Sequence, residues 1–191
     1  MSPVLVLASA SPRRAAILRS LGISFRVEVS GVGEELRPNE GAAEAAERLA
    51  REKAAVVSAR ERAPVLAADT VVTVNGTILG KPESPADAAR MLRSLAGRSH
   101  DVITGVCLAA AGVLRSGVER TRVTLAPLTE AQIEWYVETG EPLDKAGAYH
   151  VDGLGAAFID GVAGSPSNVA GLPVQLVLRL ARESGLVLGP P

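Results

Sequence analysis

The sequence predicts an α/β fold built on a mixed, twisted sheet with flanking helices, and three observations carry that expectation. Apolar runs of strand length alternate with longer stretches of helical pattern. Serine or threonine caps, two of them followed by proline, mark helix starts. Tight-turn dipeptides lie between neighbouring apolar runs, so the sheet combines hairpins with crossovers.

The elements follow in order. PVLVLA (3–8) is the first strand; Ser11 then caps a helix whose first residue is Pro12, where the missing N–H costs nothing. FRVEVS (25–30) alternates with period 2, as a half-buried strand does. GVGEELRPNEG (31–41) is an acidic loop and residues 42–60 form an alanine-rich helix. APVLAADTVVTV (63–74) is a long buried strand that ends in the hairpin signal Asn75-Gly76. Ser84 and Pro85 open a helix that Gly97 closes. Residues 101–127 form a long antiparallel hairpin, with Ala111-Gly112 or Ser116-Gly117 at its turn. Thr129 caps a helix ending at Gly140, residues 149–171 alternate strand and turn signals, and 172–185 make a closing apolar helix.

A chain of 191 residues with 47% hydrophobic content buries a real core and suits one domain, 1–191. Twenty basic against 21 acidic residues leave a net charge of −1, which argues against a protein that coats nucleic acid polymers through a basic face. A single cysteine excludes an internal disulfide, and two histidines leave little for zinc. Cys107 reads as a buried core residue. The N-terminal apolar run is too short for a signal peptide and no stretch reaches the ~20 apolar residues of a membrane span. The expectation is a cytoplasmic protein with no membrane partner. Aromatic content of 3% argues against a stacking platform for single strands.

Arg13 and Arg14 stand in the first turn of the first helix, where the macrodipole makes each unfavourable by roughly 0.3–1 kcal/mol unless a negative group joins them. A small anion is expected there. Of the 20 basic residues only Lys53, Lys81 and Lys145 are lysine. Exposed lysine is the norm, yet Lys53 falls on the apolar stripe of its helix, away from Arg48 and Arg51 on the solvent face. Lys81 sits between Gly80 and Pro82, and Lys145 opens KAGAY, where small residues let a ligand approach the backbone. Together the three point to a polyanion site. Asp69 interrupts PVLAADTVV, so its carboxylate lies at or near the interior and demands a cation, a metal or a proton. It reads as a metal ligand or a general base. Glu34 and Glu35 are the nearest source of a second carboxylate for a hard ion such as Mg²⁺. No phosphate-binding P-loop or dinucleotide fingerprint is present. Helix N–H groups, arginines, lysines and a carboxylate converge on phosphate-ester or anhydride hydrolysis.

LASASPRR, GVGEE, RLAREKA, AADTVV, GKP, TGV, PLDKAGAY and GLPV occur in the order found in the Maf family of nucleoside triphosphate pyrophosphatases, also called septum formation inhibitors, which the chain resembles from residue 4 to about 180. The resemblance implies a fold like that of inosine triphosphate pyrophosphatases, with two lobes around a cleft, and a homodimer. It implies hydrolysis between the α and β phosphates of a nucleoside triphosphate, aided by Mg²⁺ or Mn²⁺. By position, Asp69 is the proton acceptor or metal-holding carboxylate, Glu34 the loop carboxylate, and Ser9, Arg13, Arg14, Lys53 and Lys81 the phosphate-facing set. SPRR, ADT (with Thr70) and DKAG (with Lys145) resemble the subgroup acting on dTTP and UTP. Asp152 departs from it: that subgroup carries Gln there, whereas the 7-methyl-GTP subgroup carries an acidic residue. An ionised carboxylate only accepts hydrogen bonds, so Asp152 favours a base edge presenting N–H donors. The two alternatives to a dTTP/UTP enzyme are a 7-methyl-GTP pyrophosphatase and a nucleotide-sensing regulator of cell division with little turnover. The wealth of alanine and arginine points to a GC-rich or heat-adapted source.

Overall fold

The structure is a computed structural model that describes residues 5–189; residues 3 and 4 of the predicted first strand lie outside them. In chain order the elements are β1 (Leu5–Leu7), α1 (Pro12–Ser20), β2 (Phe25–Val27), α2 (Ala42–Ser58), β3 (Val65–Val74), β4 (Thr77–Leu79), α3 (Pro85–Leu95), β5 (Ser99–Ala110), β6 (Val113–Leu125), α4 (Glu130–Glu138), β7 (Ile159–Ala163), α5 (Pro166–Val169) and α6 (Val174–Glu183). Short 3₁₀ turns fill Glu141–Asp144, Ala146–Ala148 and Leu154–Phe158. The strand order is β2-β1-β3-β5-β6-β7, with β4 paired to β3. Parallel pairing of β1 with β2 and β3, and antiparallel pairing of β3 with β4 and β6 with β7, make the sheet mixed, as the sequence predicts.

Local chemistry explains the boundaries. The Ser11 hydroxyl accepts from the Arg14 N–H, Ser84 does the same for Asp87, and Thr129 for Gln132, so three helix starts carry the caps that the sequence predicts. The Asn75-Gly76 turn has both residues at positive φ (50° and 80°), the backbone of a two-residue hairpin. Ala111 and Gly112 (49° and 78°) have the same form and make the turn between β5 and β6. Gly117 lies within β6 instead; a Cβ there would meet Leu176 Cδ1 at 3.1 Å, so its role is close packing. The second strand stops at Val27, short of the predicted residue 30, because its partner β1 ends at Leu7, paired with Val27. Residues 149–171 hold one strand, one short helix and turns.

The described chain divides into two compact units, each drawn from more than one stretch of sequence. The first comprises residues 1–69, 104–119 and 171–191. Its central strands β1, β3 and β5 bury both faces, and alternate residues serve two cores. Leu5, Leu7, Leu66, Ala68, Val106 and Leu108 pack against Ala15 and Leu18 of α1 and Leu176, Val177, Leu180 and Ala181 of α6. Val6, Ala8, Val65, Ala67, Cys107 and Ala109 face the other way, onto Ala50, Ala54 and Val57 of α2. Cys107 is fully buried, as predicted, and burial raises its thiol to about 11. Gly105 shares the face of Cys107, and a Cβ there would overlap the Ala46 carbonyl and lie 2.5 Å from the Glu47 nitrogen. The α2 backbone therefore rests directly on β5.

The second unit, residues 70–103 and 120–170, packs α3 and α4 around Val72, Val74, Val102, Val123 and Leu125. Inside it His100 is 2% exposed, and its Nε2 lies 2.8 Å from the Tyr149 hydroxyl. Burial lowers the imidazole from 6.5 to about 4. Because the folded value lies below the unfolded one, the unfolded chain binds the extra proton first. Stability attributable to His100 is complete above pH 6.5 and is lost as pH falls toward 4, on the order of 3 kcal/mol in all. Chemical-denaturation curves of the wild type and His100→Gln should therefore converge or cross on acidification through that window. Parallel curves would remove His100 as the acid-sensitive group.

Candidate active site

Period-2 alternation places Asp69 on the same face of β3 as Val65 and Ala67, the face that α2 covers. Helical spacing places Lys53 on the buried stripe of α2, with Leu49, Ala50, Ala54 and Val57. The two meet: Lys53 Nζ lies 2.5 Å from Asp69 Oδ1, and the residues are 5% and 7% exposed. The same ammonium donates to Glu34 Oε1 at 2.6 Å. One buried cation thus joins a strand carboxylate to a loop carboxylate. Of the two loop acids singled out in the sequence, Glu34 reaches the site, whereas Glu35 is exposed.

Ser9 and Arg14 stand beside this triad in the same unit. Ser9 is buried, and its hydroxyl accepts from Arg14 Nη1 at 2.9 Å and from the Ser11 N–H at 3.2 Å. Arg14 Nε donates to the Gly171 carbonyl at 2.9 Å. The guanidinium is fixed by two protein oxygens before any ligand is considered. Burial lowers its pKa, while the Asp69 and Glu34 carboxylates pull the other way. The negative groups that the first turn of α1 requires are thus supplied in part by the protein itself. Arg13 is half-buried at the same helix start and repels Arg14. Burial raises the Asp69 carboxyl above its ordinary value, against the opposing pull of Lys53 and Arg14. A carboxylate made more basic, yet still paired with cations, is suited to accepting a proton from water.

Thr70, Lys81, Lys145 and Asp152 belong to the second unit. The Gly147 N–H donates to the Gly80 carbonyl at 3.0 Å, so the backbone two residues after Lys145 is tied to the residue before Lys81. Gly147 sits at φ 73°, where a Cβ would also press on Val72 at 3.0 Å. Lys81 is exposed; Lys145 is half-buried and paired with the Asp144 carboxylate. Asp152 is exposed, at the tip of a loop closed by one carboxylate. Glu141 accepts from the Tyr136 hydroxyl at 2.8 Å and from the Leu154 and Gly155 N–H groups at 3.0 Å each. The Tyr136 oxygen in turn accepts from the His150 N–H at 2.9 Å. Burial works against ionisation of Glu141, but the Gly155, Leu154 and Tyr136 donors hold its carboxyl below the ordinary value.

Two features here are absent from the sequence reading. One is the Tyr136–Glu141 closure, whose partners share no helical or strand period. The other corrects it: Arg48 does not lie free on the solvent face of α2. Its side chain is 16% exposed and forks onto Glu40. Arg51, by contrast, is exposed and donates to Ser116 Oγ at 2.9 Å.

Comparison with known proteins places the chain in a family and a fold. A family model described as Maf-like protein matches residues 4–184. A dTTP/UTP pyrophosphatase of Anaeromyxobacter dehalogenans (strain 2CP-C) is 48% identical, over 98% of this chain and 97% of that protein. A dTTP/UTP pyrophosphatase of Deinococcus radiodurans is 46% identical, over 97% of this chain and 95% of the other. Among solved structures, a HAM1 protein from Coxiella burnetii shares the fold, with a TM-score of 0.52 at 17% identity, over 95% of this chain and 100% of that one.

Proposed function

The chain belongs to the family of Maf-like proteins, and from that premise we propose that it is a nucleoside triphosphate pyrophosphatase that converts dTTP and UTP to the monophosphate and pyrophosphate. The observation that carries this reading is the buried Lys53–Asp69 pair, joined by the loop carboxylate of Glu34 and set beside Arg14 and Ser9. The near full-length likeness to relatives named dTTP/UTP pyrophosphatase supports the substrate class.

In the proposed mechanism Asp69 takes a proton from water as the water oxygen bonds to phosphorus and the bridging α–β P–O bond breaks. Lys53 and Arg14, already fixed by protein partners, stabilise the negative charge that builds on the phosphate oxygens without reorganising at the moment of reaction. Ser9 holds the Arg14 fork in place. Asp69 and Glu34 both accept from the Lys53 ammonium, which brings the two carboxylates together. Two carboxylates fit what Mg²⁺ or Mn²⁺ takes from a protein when phosphate oxygens and water complete its shell. Asp69 and Glu34 would hold such an ion together with the substrate's phosphate oxygens. When bound, that ion supplies Lewis-acid neutralisation of the phosphates. To Arg13, Lys81 and Lys145 we assign phosphate contacts, and to Thr70 and Asp152 selection of the base. The same reading includes a homodimer and a cytoplasmic location. Among the described residues no helix is long and apolar enough to cross a membrane.

A panel of dTTP, UTP, 7-methyl-GTP and the common triphosphates, assayed for pyrophosphate release with Mg²⁺ or Mn²⁺, tests the proposal. dTTP and UTP should be turned over fastest. Asp152 favours a second reading, and fastest turnover of 7-methyl-GTP would establish it in place of the first. Tight binding with no product at any metal concentration would identify a nucleotide sensor instead.

A further inference from the structure

From residue 31 to residue 41 no apolar side chain is buried, so apolar packing does not order the loop that carries Glu34. Yet Glu34 Oε1 stands 2.6 Å from the Lys53 ammonium. The fixing contacts are polar, and they centre on Arg48. Its Nε and Nη2 donate to the two oxygens of Glu40 at 2.5 and 2.7 Å, a two-pronged bond to one carboxylate. Nη2 also donates to the Glu35 carbonyl at 3.1 Å, one residue beyond Glu34, and Nη1 to Glu52 Oε2 at 3.1 Å. Glu40 additionally accepts from the Arg37 N–H at 3.1 Å, and Arg37 Nη2 reaches Glu52 Oε1 at 2.9 Å.

The pair is well shielded. The side chains of Arg48 and Glu40 are only 16% and 9% exposed, although the loop around them is open to solvent. The hydrogen bonds from Arg48 hold the Glu40 carboxyl down at about 2, so the tie persists across the physiological pH range. Arg48 and Lys53 stand five residues apart on α2. One helix therefore supplies both the ammonium that Glu34 contacts and the guanidinium that grips the chain next to Glu34.

We propose that Arg48 is a positioning residue, a strap that fixes the 31–41 loop and thereby delivers the Glu34 carboxylate to the Lys53–Asp69 pair. The consequence for turnover rests on the function proposed above, whereas the consequence for the loop does not. A lysine in its place keeps the charge but cannot span both Glu40 oxygens and the Glu35 carbonyl in one plane.

The test compares Arg48→Gln and Arg48→Lys with Arg93→Gln, which removes a bidentate pair of similar geometry on the exposed side of the second unit. Amide hydrogen exchange is read at Arg37 and Glu40, whose N–H groups bond to Glu40 Oε2 and to the Arg37 carbonyl, and the Mg²⁺ half-saturation, kcat and KM are read with dTTP. In Arg48→Gln, exchange at the Arg37 and Glu40 amides should speed up and the Mg²⁺ half-saturation should rise, each by about tenfold, with KM for dTTP little changed. Arg48→Lys should fall between Arg48→Gln and the wild type, and Arg93→Gln should match the wild type in every reading. Unchanged exchange at the Arg37 and Glu40 amides in Arg48→Gln overturns the strap. Faster exchange with wild-type metal dependence and kcat overturns its link to Glu34. If the wild type turns over no triphosphate, the proposed function fails on its own, and the exchange result alone decides whether Arg48 holds the loop.

Discussion

Asp69→Asn should lower triphosphate turnover by roughly 10²–10⁴-fold, the range that a general base contributes, while the protein remains folded. The amide has the shape of the carboxylate, and its oxygen still accepts from Lys53, which keeps Glu34 as its charged partner. What it loses is basicity. Burial raises the Asp69 carboxyl above its ordinary value of 3.8, so the native state holds that proton more tightly than the unfolded chain does. Ionised Asp69 therefore destabilises the fold once pH exceeds that folded value, and the amide relieves this cost. Pyrophosphate release and thermal unfolding, measured on the same preparation, check both halves. Wild-type turnover by the variant would remove Asp69 from the chemistry; an unfolded variant would make its role structural.

Gly105→Ala should produce the largest loss of stability, about 3 kcal/mol, at the upper end of what overpacking costs. The added Cβ would overlap the Ala46 carbonyl and stand 2.5 Å from the Glu47 nitrogen, and both belong to the α2 backbone, which cannot rotate aside as a side chain can. For a chain of this length the melting temperature should fall by roughly 10 °C. Whatever relief occurs must shift α2, which carries Lys53 and Arg48, so turnover should drop along with stability. Gly161→Ala is the control, since a Cβ there meets nothing within 4 Å. Equal melting temperatures for the two variants would show that α2 can lift from β5 at no cost.

The parts of this protein that follow a period were legible in its residues. Asp69 and Lys53 interrupt a strand pattern and a helix pattern, and each interruption faces the interior because its neighbours do. Caps at Ser11, Ser84 and Thr129 depend on contacts three residues away and were equally readable. Arg48 was misplaced because its main partner, Glu40, arrives from a loop, and no periodicity encodes where a loop folds back. The position of the β5–β6 turn was ambiguous between two glycines. The backbone chose Gly112, whereas Gly117 answers to Leu176, a neighbour 59 positions along the chain. The extent of β2 depended on how much of β1 was there to pair with it, which is a property of the pair and not of either segment.

The carboxylate of Glu141 stitches together the ends of the segment that bears Asp152 through Tyr136, Leu154 and Gly155, none of which is the outward-facing tip residue. The loop is thus anchored by atoms other than those its tip presents to solvent. Such a division lets natural variation redraw the tip, acid for amide, without unseating the frame beneath it, so that a lineage can alter the outer edge of the loop while inheriting the same scaffold.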